Sequence, residues 1–174
     1  MHTSYIVTFT SDDRPGLVEQ LSRVIENNGG NWHESRLSQL GGMFAGLILI
    51  SLPREGASAL ETELKNLSAS GLSVQLTSTG GRSDPVAGRN INLTVMGPDR
   101  LGIVREISHA LANRHINVLQ MDSQVNSAPM SAEMIFTAHI EAWIPETTDS
   151  DDLRDALDAI ADNMTLEIDL NSPL

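Results

Sequence analysis

Asp13-Arg14-Pro15-Gly16-Leu17-Val18 returns 86 residues later as Asp99-Arg100-Leu101-Gly102-Ile103-Val104, and this recurrence decides how the chain folds. The same shift sets Thr8 on Thr94, Ser22 on Ser108, Asn27 on Asn113 and Asn31 on Asn117. One extra residue then brings Met43 onto Met130 and the apolar runs that follow into line. A period this long exceeds any solenoid repeat, so the chain reads as a duplicated domain. The organisation expected is a first domain over 1–80, a linker over 81–89 and a second domain over 90–174. The linker is rich in Gly, Ser and Pro and has no apolar period.

Around the repeated motif each half reads alike. Tyr5–Thr10 and Asn90–Met96 are short runs of β-branched and aliphatic residues, hence strands. Leu17, Val18, Leu21, Val24 and Ile25 make one apolar helical stripe, and Ile103, Val104, Ile107, Ala110 and Leu111 repeat it. Gly29-Gly30 supplies a helix stop. Second strands are predicted over 31–40 and 117–125, and third strands, the most apolar and therefore central, over Met43–Leu52 and Met130–Ile144. Gly41-Gly42 and Ser127-Ala128-Pro129 read as the intervening hairpin turns. Leu60, Leu64 and Leu67, and again Leu153, Leu157 and Ile160, mark a second helix. Alternating strands, Leu72-Val74-Leu76 and Leu166-Ile168-Leu170, end each half. The class is therefore α+β: two tandem ferredoxin-like βαββαβ units, each a four-stranded antiparallel sheet with both helices on one face.

Composition narrows the function. The 174 residues include no cysteine, which removes disulfides, thiolate metal sites and a cysteine nucleophile. Eleven basic residues stand against 23 acidic ones, a formal net charge of −12. Residues 1–80 carry 5 basic and 8 acidic residues, and residues 90–174 carry 4 and 14. Such a surface opposes phosphate backbones, so direct nucleic-acid binding is not expected. An RNA-recognition role for this topology needs aromatics flanked by Lys/Arg. Tyr5, Phe9, Trp32, Phe44, Phe136 and Trp143 form no such cluster. No apolar window reaches membrane-spanning length and no basic leader opens the chain, so a cytoplasmic protein without membrane contact is the expectation.

The two units consume nearly the whole sequence, leaving no room for a catalytic domain of ordinary size. There is no G-x-x-x-x-G-K-[ST] loop and no G-x-G-x-x-G after a strand. His2, His33, His109, His115 and His139 lack metal-ligand spacing, so neither a metal nor a cofactor is expected. His33-Glu34 and His139-x-Glu141 read better as strand residues than as acid/base pairs. Chemistry remains only at the strand-to-helix turns, Asp12-Asp13-Arg14-Pro15-Gly16 and Pro98-Asp99-Arg100-Leu101-Gly102. A helix start presents unpaired N–H groups to a small carboxylate, and glycine lets a ligand approach the backbone. Asp13 and Asp99 can cap the helix or accept from an ammonium. Arg14 and Arg100 can clamp a carboxylate or pair with the neighbouring Asp. Asn31 and Asn117 open the next strand, which is expected beside the first, with their amides facing the same turn.

A strand, then D-R-P-G-[L/I]-V opening a helix, then an Asn about fifteen residues on, resembles the ACT domain, the small-molecule regulatory module of amino-acid metabolism. The resemblance covers about 4–80 and 90–171, and Leu101 replaces the proline in the second copy. Two such domains without an attached enzyme resemble the glycine cleavage system transcriptional repressor family. That likeness implies an amino-acid effector such as glycine, and regulation through a DNA-binding protein. The candidate ligand residues at the two turns and the strands after them are Asp12, Asp13, Arg14, Pro15, Gly16, Leu17 and Asn31, with Asp99, Arg100, Leu101, Gly102, Ile103 and Asn117. Exposed sheet edges in such units offer a pairing surface, so the chain can pair internally or as a homodimer. The alternatives are a constitutive protein–protein adaptor whose turns only shape helices, or a regulatory subunit of a metabolic enzyme.

Overall fold

The computed structural model describes residues 2–80, 87–129 and 132–171. The chain divides into two compact units, Met1–Ser83 and Asp84–Leu174. Most of the expected linker, 81–86, lies outside the described residues.

In the first unit β1 spans His2–Asp12, α1 Leu17–Asn27, β2 Asn31–Leu40, β3 Met43–Pro53, α2 Ala57–Asn66 and β4 Ser73–Ser78. A 3-10 turn, Leu67–Ser70, follows α2. The second unit repeats the order with β5 Gly88–Pro98, α3 Ile103–Ala112, β6 Asn117–Ser127, β7 Met134–Pro145, α4 Ser150–Met164 and β8 Glu167–Asn171. Each unit is therefore a βαββαβ fold with one antiparallel four-stranded sheet, ordered β2-β3-β1-β4 and β6-β7-β5-β8.

Alternation along the strands explains where each core sits. Val7 and Phe9 of β1 and Ile48, Ile50 and Leu52 of β3 point to one face, where Leu17, Leu21 and Ile25 of α1 and Leu60 and Leu64 of α2 cover them. Ile91, Leu93 and Val95 of β5 meet Ile103, Ile107, Leu111, Leu153 and Leu157 in the same way. Each fully buried Leu or Ile contributes roughly 1.5–3 kcal/mol relative to exposure, so the amphipathic stripes hold the helices on the sheets. Gly29, with φ of 74°, stops α1, and its amide and that of Gly30 bond the carbonyls of Glu26 and Ile25. That pair closes a Schellman motif. Gly41 and Gly42, with φ of 59° and 81°, make the two-residue turn between β2 and β3. Left-handed conformations at both positions suit the twist of a hairpin.

Two expectations are corrected here. The second strand does not lie beside the first: β2 and β6 are edge strands paired with β3 and β7 alone. Their partners β3 and β7 are the apolar central strands that also pair with β1 and β5. The hairpin turn forces β2 onto β3, while the crossover through α1 leaves β1 free to take β3 on one side and β4 on the other. In the second unit β7 begins at Met134, later than the Met130 expected, and Met130 itself lies outside the described residues.

Candidate functional site

Both turns are built by glycine. Gly16 (φ 89°) and Gly102 (φ 97°) stand at the N-caps of α1 and α3 in the left-handed conformation, and neither helix has a side-chain cap. The capping role open to Asp13 and Asp99 is therefore not taken. Helix α4 is the contrast, because the Asp149 carboxylate accepts from the amides of Asp151 and Asp152. In α1 the amide of Gln20 donates to the Gly16 carbonyl at 2.9 Å, and in α3 Glu106 donates to Gly102 at 2.9 Å. The amides of Leu17, Val18 and Glu19, and those of Ile103, Val104 and Arg105, donate to no protein group among the described residues. Each helix start thus keeps three N–H groups and the positive end of its dipole for water or an anion.

The turns are stitched to the neighbouring hairpins. The Asp13 amide donates to the Gly42 carbonyl at 2.9 Å, and the Asp99 amide to Met134 at 2.8 Å. Asp12, Asp13, Pro15 and Gly16 are exposed, as are Asp99 and Arg100, while Leu17 and Ile103 point inward and anchor the helices in the cores. A Cβ built on Gly16 or Gly102 would meet nothing within 4 Å, so the space directly beside each glycine is open.

The two turns differ in their arginines. Arg14 Nη2 donates to the Ser70 carbonyl at 3.2 Å and to Gln20 Oε1 at 3.4 Å, so the 3-10 turn after α2 holds it. Neither arginine pairs with the neighbouring Asp, and Arg100 has no hydrogen-bond or ionic partner among the described residues. Leu101 is 99% exposed where the first copy has Pro15. Sequence reading missed the Ser70 contact because it links positions 56 residues apart with no pattern between them. It also passed over Ser11, a buried polar side chain whose hydroxyl donates to the Asp12 carbonyl at 2.9 Å.

Asn31 and Asn117 do not join the turn of their own unit. Asn31 lies opposite Ser51, which lies opposite Ser4, whereas the turn follows Asp12. Asn117 likewise lies opposite Trp143, which faces Asn90, and the second turn follows Pro98. Eight residues of strand at about 3.3 Å each put the asparagines about 25 Å from the turn of their own unit. The physical reason is the direction of α1 and α3, which carry the chain back along the sheet before the next strand starts.

The remaining candidates are strand residues. His33 Nε2 lies 2.7 Å from Ser51 Oγ, His139 Nδ1 lies 3.4 Å from Thr94 Oγ1, and Glu141 accepts from Asn90 Nδ2 at 2.9 Å. Among the described residues no three His, Asp or Glu side chains group as metal ligands, and no helix is long and apolar enough to cross a membrane.

Comparison with known proteins sets this geometry in a family. The ACT domain model matches residues 3–77. Over 167 residues the chain is 22% identical to the glycine cleavage system transcriptional repressors of Escherichia coli (strain K12) and Shigella flexneri, covering 95% of this chain and 88% of theirs. The crystal structure of an unknown protein from Galdieria sulphuraria superposes over all of both chains with a TM-score of 0.84 and 26% identity. A second crystal structure, assigned provisionally to a glycine cleavage system transcriptional repressor, covers 98% of this chain and 97% of that one. It superposes with a TM-score of 0.70 at 23% identity. The duplicated βαββαβ architecture, the family match of the first copy and the full-length likeness support a regulatory role. Together they identify the chain as a tandem ACT-type protein that resembles the glycine cleavage system transcriptional repressor.

Proposed function

We propose that this chain is a non-enzymatic regulator that senses a small amino acid at its glycine-capped turns and acts on a DNA-binding partner through protein contacts. The observation that carries the reading is the pair of helix starts whose amides are bare and whose glycines leave open space. A zwitterion fits such a place: its carboxylate takes the amides, and its ammonium faces the exposed carboxylates of Asp12 and Asp13, or of Asp99. The net charge of −12 supports a protein partner over DNA itself, and the likeness to a transcriptional repressor supports a role in transcription. In this reading the protein acts in the cytoplasm.

The affinity has a ceiling. Glycine has about 5 heavy atoms, and at roughly 1.5 kcal/mol each the tightest binding is near micromolar. To pass a signal on, the ligand must favour one arrangement of the protein over another by about 1–3 kcal/mol. Titration calorimetry with glycine, alanine and serine tests the reading, with Gly16→Val and Gly102→Val as site variants and circular dichroism as the control for folding. Saturable heat that disappears in a folded variant supports it. Absence of heat with every amino acid removes it.

A second reading is favoured at the first turn by one contact. Arg14 is already engaged by the Ser70 carbonyl, as in a turn that only braces the fold. On that reading the chain is an adaptor, and its binding to a partner is indifferent to added amino acid.

A further inference from the structure

The helix-free faces of the two sheets differ at matching positions, the first being the more apolar and the second the more acidic. One row across the second sheet reads Asp122, His139, Thr94, Asp169. The corresponding row of the first sheet reads Arg36, Leu47, Thr8, Gln75. The next row of the first sheet adds Leu49 and Ile6. Leu47 is 51% exposed and lies between two hollows, lining both. One hollow, about 390 Å³, includes Thr8, Ala45 and Gln75, and the other, about 200 Å³, includes Ile6, Glu34 and Leu49. On the rim of the smaller hollow Arg36 Nη2 pairs with Glu34 Oε1 at 3.3 Å, both side chains about two-thirds exposed.

We infer that the open face of the first sheet is an interface between two copies of this chain, formed face to face about a two-fold axis with Leu47 at its centre. Three features favour a second copy over a different partner. A ridge flanked by hollows is complementary to itself, because each Leu47 can enter a hollow of the other copy. The neighbouring Glu34 and Arg36 are also self-complementary, since a two-fold sets each glutamate against the other copy's arginine. The surrounding half of the sequence carries the smaller acidic excess, 8 acidic residues against 5 basic, so two copies approach there with less repulsion, whereas the acidic row of the second sheet repels its own image. Four strands about 4.8 Å apart and about nine residues long present roughly 500 Å² per copy, and about 1,000 Å² in total sits at the lower limit of specific interfaces. The dimer is accordingly one that dissociates on dilution.

The test is sedimentation velocity of the full chain without ligand, from about 1 to about 200 μM, so that its result is independent of amino-acid sensing. The wild type shifts from monomer to dimer across this range. Leu47→Asp stays folded, because the side chain is half exposed, and its dissociation constant rises at least about tenfold. Glu34→Arg and Arg36→Glu each weaken self-association, and an equimolar mixture of the two variants restores it, because every facing pair is then of opposite sign. A monomer throughout, a dimer indifferent to Leu47→Asp, or a mixture that stays monomeric each overturns the inference.

Discussion

At Gly16 and Gly102 the backbone decides what the side chain is allowed to be. Their φ values of 89° and 97° are left-handed, and the space around each missing Cβ is empty. Substitution there therefore costs strain and not crowding, about 1–2 kcal/mol for an L side chain unbranched at Cβ and more for a β-branched one. Gly16→Ala and Gly102→Ala are each expected to lower stability by about that amount in urea unfolding. Gly16→Leu, which is unbranched at Cβ, should cost little more than Gly16→Ala, and a much larger loss with leucine would mean that the turn is packed. Gly46 behaves in the opposite way: a Cβ there would collide with Leu37 Cδ2 and come within 2.6 Å of the Arg36 carbonyl. Its backbone φ is ordinary, so the penalty of Gly46→Ala comes from displacing β2 and is expected to exceed that of Gly16→Ala in the same assay. Sequence reading recognised the turn glycines through their repetition. It could not choose between the capping and free roles of Asp13 and Asp99, because both place a carboxylate beside a helix start and only the coordinates give the bond.

Helices α1 and α4 begin by different devices, and the difference is measurable. The Asp149 carboxylate satisfies two amides of α4, so Asp149→Ala is expected to cost about 1 kcal/mol. Asp13→Ala touches no cap and should change stability by less than about 0.5 kcal/mol. Equal losses in thermal melts of the two variants would mean that Asp13 also caps its helix. Element types were legible because each apolar period is long: Leu17, Leu21 and Ile25 repeat at helical spacing, and Val7 and Phe9 alternate. Strand neighbours were not legible in the same way. Nothing in the composition of Asn31–Leu40 says which strand it pairs with, and the edge position follows from the Gly41-Gly42 hairpin, which ties β2 to β3. The start of β7 was misplaced because residues 130–133, Met-Ser-Ala-Glu, alternate apolar and polar as a strand does, so nothing in the sequence marks a boundary before Met134.

For the whole molecule, two separate cores imply two separable responses. Leu21 and Leu111 are buried in different clusters, so Leu21→Ala and Leu111→Ala should each cost about 2–5 kcal/mol in their own unit. Their effects should add to within about 0.5 kcal/mol in the double variant. Strong non-additivity in denaturant titrations would mean that one core senses the other. Charge gives the second prediction at this scale. With 14 acidic and 4 basic residues over 90–174, the protein should not retard duplex DNA in gel mobility assays even at about 50 mM salt, where phosphate contacts are strongest. Retardation by the protein alone would contradict action through a partner. Duplication and charge were both legible in the sequence. The unequal fates of the two arginines were not, since the Ser70 carbonyl that holds Arg14 belongs to a backbone position without a signature.

The fifteen-residue interval from Gly16 to Asn31, and from Gly102 to Asn117, joins opposite poles of a unit. It is the length of chain needed to descend from one pole to the other along α1 or α3. The interval is thus a ruler for the height of the sheet, not the diameter of a pocket. A lineage can lose its guest molecule and still keep the count, since shortening the descent would start the next strand out of step with its neighbour. Screening genomes for that spacing therefore recovers an architecture.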